Sequence, residues 1–203
     1  MTRSVIIPSV LLSLTQVPGT LAGQGRPDWT VVNAETCASA SQIAQDIDSP
    51  ERRYALGHLS RCGPQGGRAL ARELRQLRDE SDVVAMQRMF IEIARIRDAE
   101  VLEAALELAA DRGATLEARV AALRIFVEYQ DPTVTTTFGY FMLPRSNSSL
   151  MVGQDGGRRE GAPLPDNWMD DVRMLLARIM EDPSEGESMR HGARRALYQF
   201  RGS

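Results

Sequence analysis

The chain has 203 residues, of which 43% are hydrophobic and only 5% aromatic, so a core must be built from Leu, Ala, Val, Ile and Met, in one domain. A formal charge of −3 disfavours a nucleic-acid partner. Every basic residue is arginine, which excludes Schiff bases, lysine general bases and the lysine of a phosphate-binding Walker loop, and fits a GC-rich bacterial coding sequence.

The first 22 residues carry one charge at Arg3, an apolar run from Val5 to Leu14 broken by Pro8 and two serines, and the small-residue end Thr20-Leu21-Ala22. This is the layout of a secretory signal peptide cleaved after Ala22. The apolar run is about half of the roughly 20 residues that a bilayer-spanning helix needs, so no membrane span is expected in the mature chain. Lipid attachment would need a cysteine at the cleavage point, whereas the first cysteine is Cys37. A periplasmic or secreted location follows. Residues 23–36, with Gln, Gly, Pro and Asp leading to Trp29, read as a short extended lead.

From Cys37 the period becomes helical. Cys37, Ala40, Ala44 and Ile47 keep three-and-four spacing, and Ser49-Pro50 ends that stripe. A second helix is expected with Ser49 as N-cap and Pro50 in its first turn, carrying Ala55, Leu56, Leu59 and Cys62 until Gly63-Pro64 stops it. The hairpin then recurs. Leu70, Leu74 and Leu77 are followed, after Asp79-Glu80-Ser81, by Val83, Met86, Phe90 and Ile93. Leu102, Ala105, Leu106 and Ala109 are followed, after Arg112-Gly113, by Leu116, Val120, Leu123 and Val127. At the C-terminus Trp168, Val172, Leu175, Leu176 and Ile179 precede Asp182-Pro183-Ser184, and Met189, Ala193, Ala196, Leu197 and Phe200 close the chain.

Residues 133–165 break the period. Val134, Phe138, Phe141 and Met142 have helical spacing, but Thr135-Thr136-Thr137, Phe138 and Tyr140 favour strands. A degenerate helix or short extended segment is expected, then a mobile loop from Pro144 to Pro165 rich in Gly, Ser, Pro, Arg and Asp. Asn147-Ser148-Ser149 matches a glycosylation acceptor, and Gly153 to Gly161 lacks the strand, lysine and helix of a phosphate cradle.

The second helices align on an alanine three residues after a charged one: Arg52 to Ala55, Asp82 to Ala85, Arg119 to Ala122 and Arg190 to Ala193. Small residues there let neighbouring hairpins approach. The pattern resembles HEAT-like repeats of the short bacterial type, most clearly from Thr115 to Leu123 and on to Asp131-Pro132, with Asp82 a departure where an arginine is usual. The resemblance implies an all-α, short right-handed solenoid of antiparallel hairpins over 37–203, interrupted at about 133–165. It transfers no catalytic residue and no cofactor.

Cys37 and Cys62 are the only cysteines and are equidistant from the turn at Ser49-Pro50. Residues so placed come level in an antiparallel helix pair, so a disulfide is expected after export. The alternatives are two buried free thiols, or a metal site with His58 four residues before Cys62 and His191 as a remote fourth ligand. His58 is expected partly exposed beside the stripe. Arg68, Arg72, Arg75 and Arg78 line one face of one first helix, and Glu100, Glu103, Glu107 and Asp111 line a face of the next. In a solenoid these would be neighbours, either as solvated faces with cross-repeat ion pairs or as a bipolar patch that docks an unidentified protein partner. The expected function is a non-enzymatic, exported interaction or scaffold module. An accessory lyase-like enzyme and a structural envelope component are the alternatives.

Overall fold

The computed structural model describes residues 27–81, 89–90, 92–130 and 159–200. The leader, Val83, Ala85 and Met86, the segment from Val134 to Met142, the Asn147 acceptor and Gly153 lie outside the described residues. Seven α-helices have both ends among the described residues: α1 (Ala34–Gln45), α2 (Arg52–Leu59), α3 (Gly63–Gln76), α4 (Ala99–Ala110), α5 (Leu116–Gln130), α6 (Trp168–Glu181) and α7 (Glu187–Phe200). A 3-10 turn at Leu77–Asp79 follows α3. Among the described residues no helix is long and apolar enough to cross a membrane.

Local sequence explains most helix starts, with three corrections. The lead ends earlier than expected, because Asn33 and Thr36 form a capping box that starts α1 at Ala34. Ser49-Pro50 lies in the turn ahead of α2 rather than in its first turn: the Ser49 carbonyl accepts from the amide of Arg52, where the helix begins. Gly63-Pro64, expected to stop α2, instead opens α3. Gly63 takes a positive φ of 56° as the chain reverses, and Pro64 in the first helical turn loses nothing by lacking an N–H. Asp98 caps α4, its Oδ1 accepting from Glu100 N at 2.9 Å and Val101 N at 3.3 Å.

The helices pack as α1 on α2, α4 on α5 and α6 on α7, with α3 against both α1 and α4, α4 touching α6, and α5 packed on α7. One continuous core runs through them, from Ala40 and Leu59 through Leu74, Leu102 and Phe126 to Leu176 and Ala193. Helix α4 is enclosed on more than one face: Val101, Leu102, Ala104, Ala105, Leu108 and Ala109 are all buried, so its apolar surface wraps beyond a single stripe.

The expected mobile loop is tied down at its distal end. Arg159–Glu160 (β2) pairs in parallel with Ile96–Arg97 (β1), with Ile96 opposite Arg159 and Arg97 opposite Glu160. The Asp98 Oδ2 then accepts from Ala162 N, so one buried carboxylate holds both the N-terminus of α4 and the returning chain. Gly67 and Gly161 press on this group: a Cβ on either would overlap the Asp98 side chain. Tyr129 completes the node, its hydroxyl accepting from Asp98 N at 3.2 Å and its ring meeting Trp168 edge-on at 6.4 Å.

Candidate functional site

Four groups of polar residues stand out from the apolar core. The first is the stapled N-terminal hairpin. Cys37 on α1 and Cys62, the residue that precedes α3, are joined by a disulfide with a Cα separation of 5.9 Å. The bond therefore ties α1 to the α2–α3 junction, just beyond the stripe of α2 on which Cys62 was expected. His58 lies beside it. One imidazole nitrogen and the two sulfurs are all within 4.8 Å of one another. The expectation that His58 is partly exposed is wrong: only 3% of it is exposed. Trp29 folds back from the lead to put its ring 5.2 Å from the imidazole, and Arg61 fixes that position by donating to the carbonyl oxygens of Trp29 and Thr30. Burial depresses the imidazole pKa; the charges of Arg61 and Arg159 act in the same direction, and the nearby Trp29 backbone opposes them. His191 lies exposed on α7, outside this cluster.

The second group is a pair of arginine clamps. Arg52 donates from Nε to the carbonyl of Ala44, next to last in α1, and from Nη2 to Glu73 Oε2 at 3.1 Å on α3. Arg119 repeats this on α5. Its Nε donates to the carbonyl of Ala109, next to last in α4, and its two terminal nitrogens grip Glu185 at 2.9 and 2.7 Å. Each arginine thereby satisfies a carbonyl at a helix C-terminus and pins the following helices. Burial raises the pKa of Glu73, against the attraction of Arg52. Glu185 is instead lowered, chiefly by its hydrogen bonds from Arg119, and Arg112 adds to this while also pairing with Asp182.

The third group is the charged wall. Arg75 pairs with Glu107 at 2.6 Å and lies 3.9 Å from Glu103, and Arg78 pairs with Asp111 at 2.7 Å. Glu100, half-buried, adds its charge to those that raise the pKa of Arg75. Arg75, Arg78, Ala104, Glu107, Leu108 and Asp111 line an open depression of about 280 Å³. Arg68 and Arg72 are exposed farther back on α3 and take part in no ion pair among the described residues. The structure brings Arg75 and Arg78 together with Glu103, Glu107 and Asp111, and leaves Arg68 and Arg72 without an ion pair among the described residues, Arg72 acting on Glu73 only at longer range.

The fourth group joins the C-terminal end of α2 to β2. Arg159 donates to the Ser60 hydroxyl and to the Gly57 carbonyl, and buried Glu92 pairs with Arg95 at 2.6 Å. Burial raises the Glu92 pKa, with Arg95, Arg53 and Arg159 pulling against it. Sequence reasoning passed over Glu73, Glu92, Asp98 and Glu185. Asp98 had a legible signal, an Asp one residue before an apolar-periodic run. No protein-family model, curated protein or solved structure matches the chain.

Proposed function

We propose that this chain is an exported HEAT-like repeat module that works as a binding scaffold, presenting the exposed arginine end of the α3–α4 wall to an acidic protein partner. The observation that carries the repeat reading is the recurrence of the arginine clamp. Arg52 and Arg119 lie in different hairpins, yet each donates Nε to the penultimate carbonyl of the preceding helix and reaches on to a glutamate of the next hairpin. Each also precedes by three residues a fully buried alanine, Ala55 and Ala122. Agreement of sequence register with contact register is what stacked hairpins require. Arg190 holds the same register before Ala193, and its Nε is buried with no hydrogen-bond partner among the described residues. The order α1, α3, α4, α6 along one row of contacts supports the same reading.

Export is supported by the leader and by the disulfide, since such bonds persist in oxidising compartments. The scaffold reading is supported by polar groups spent on holding helices to one another and by a stripe of charge that is half compensated and half open. A direct test is charge reversal at Arg68 and Arg72 together. The native chain is expected to retain a stoichiometric partner from an extracytoplasmic fraction of its own cell type, and the Arg68→Glu, Arg72→Glu variant to lose it with unchanged circular dichroism. Equal retention by native and variant protein would remove the arginine end from the account.

A further inference from the structure

We propose that Cys37, His58 and Cys62 form a redox-gated site for a thiophilic d10 cation of the Zn²⁺ class, closed to metal as the disulfide and open to it as the dithiol. The proposal goes beyond the scaffold reading and does not depend on it.

Three potential ligands already converge. Both sulfurs and an imidazole nitrogen fall within 4.8 Å of one another, so small side-chain adjustments bring all three to the roughly 2.0 to 2.3 Å of zinc–nitrogen and zinc–sulfur bonds. The backbone need not move, because the disulfide already holds the two Cα atoms 5.9 Å apart. His58 and Cys62 are four residues apart at the end of α2, and the Cys62 sulfur lies 3.4 Å from the His58 carbonyl.

The histidine itself carries the stronger argument. The Thr36 hydroxyl has two carbonyl acceptors, Val31 at 2.9 Å and Asn33 at 3.2 Å, so with its proton given to either one it accepts towards the ring. That assigns the proton of the neutral imidazole to Nε2, which lies 3.2 Å from Thr36 Oγ1. That leaves Nδ1 as the nitrogen open to a ligand; it is buried and makes no hydrogen bond among the described residues, with the Trp29 backbone nearby. A buried acceptor left unsatisfied is unfavourable unless something else takes the lone pair. An outer hydrogen bond from one ring nitrogen that fixes the tautomer and frees the other is the arrangement that prepares a histidine to ligate. Trp29, tilted at 55° against the ring, covers it, and only 3% of His58 is exposed.

The chemistry balances in two steps. A dithiol reductant transfers two electrons and two protons to the Cys37–Cys62 bond, becoming a disulfide itself and leaving two thiols. The cation then displaces both thiol protons, forming two thiolate bonds and one bond to His58, with water in the fourth position. Three ligands within one hairpin restore the cross-link that reduction removes.

The test uses the whole exported chain. One sample is kept oxidised, the other is reduced with a phosphine and shown to hold two titratable thiols, and both are titrated with Zn²⁺ against a chromophoric zinc indicator. One equivalent is expected to bind to the reduced chain and none to the oxidised chain. His58→Gln is expected to weaken zinc binding by at least about tenfold while leaving the thiol count and the oxidised circular dichroism unchanged. If reduction unfolds the hairpin, Zn²⁺ is expected to restore the lost helical signal in the native chain and not in the variant. Equal zinc binding by oxidised and reduced chains, equal binding by His58→Gln, or no zinc-induced recovery of a reduced, unfolded chain would each overturn the proposal.

Discussion

Replacing Arg119 by methionine is expected to destabilise the protein by about 3 to 5 kcal/mol, the range for removing one partner of a buried ion pair. Arg119 and Glu185 are 7% and 6% exposed, so solvent screens their interaction little. The substitution removes two hydrogen bonds to Glu185 and the one to the Ala109 carbonyl, and it strands a carboxylate between α5 and α7. Arg112, 3.5 Å from Glu185 but mostly exposed, places the loss at the lower end of that range. Removing both charges, Arg119→Met with Glu185→Met, is expected to recover much of the loss, because no buried charge is then left unpaired. The pair also has a pH signature. The folded pKa of Glu185 is lowered, so the unfolded chain binds the proton more readily; the stability it contributes is present above the unfolded value of about 4.3 and is lost as pH falls towards the folded value. Urea unfolding of the native chain, both single variants and the double variant, at pH 7 and at stepped acidic pH, measures all of this. A cost below about 1 kcal/mol for Arg119→Met, or a double variant as unstable as the worse single one, would refute the clamp.

Three further outcomes are expected. Replacing Cys37 and Cys62 by serine reopens a loop of 25 residues, for which loop-closure entropy gives about 3.5 kcal/mol, or roughly 7 to 14 °C in Tm for a chain of this size; reductant should lower the native Tm and leave the variant's unchanged. Gly67→Ala is expected to destabilise by about 2 kcal/mol or more, since the new methyl overlaps the Asp98 carboxylate at the α3–α4 contact; a neutral result in chemical denaturation would mean that this contact yields easily. The folded pKa of His58 is lowered, so as pH drops through about 6.5 the unfolded imidazole gains a proton that the folded one refuses, and stability falls by up to about 1.4 kcal/mol per pH unit; His58→Gln should flatten that slope between pH 7.5 and 5.5, and an unchanged slope would contradict the burial argument.

What was legible in the sequence was whatever depended on near neighbours. The stripes Leu70-Leu74, Leu102-Ala105-Ala109 and Val172-Leu175-Leu176-Ile179 are buried in the helices assigned to them, because three-and-four spacing alone decides which face turns inward. The cysteine pairing followed from symmetry about a turn, which survives an error of a few residues in the helix ends. Gly63-Pro64 was misassigned because Gly-Pro ends one helix as readily as it starts another, and only the short spacing from Leu59 to α3 settles which. His58 was misplaced because its cover, Trp29, comes from outside the period, 29 residues earlier in the chain. The strand at Arg159–Glu160 has two residues and no signature of its own; it exists because Ile96–Arg97 offers it a partner and Asp98 a cap. The two charged stripes meet at Arg75–Glu107 and Arg78–Asp111, but which charges cancel depends on the stagger of α3 and α4, and spacing along one helix does not contain that.

The proposed export and the Cys37–Cys62 disulfide can be checked on one sample. Intact-mass measurement under non-reducing conditions, on protein recovered outside the cytoplasm of a secreting host, tests both parts at once. The expected mass is that of a chain beginning at Gly23 and lighter than its reduced form by two hydrogens, with neither Cys37 nor Cys62 open to alkylation. A chain retaining Met1 to Ala22, or one in which both cysteines alkylate freely without reduction, would contradict it.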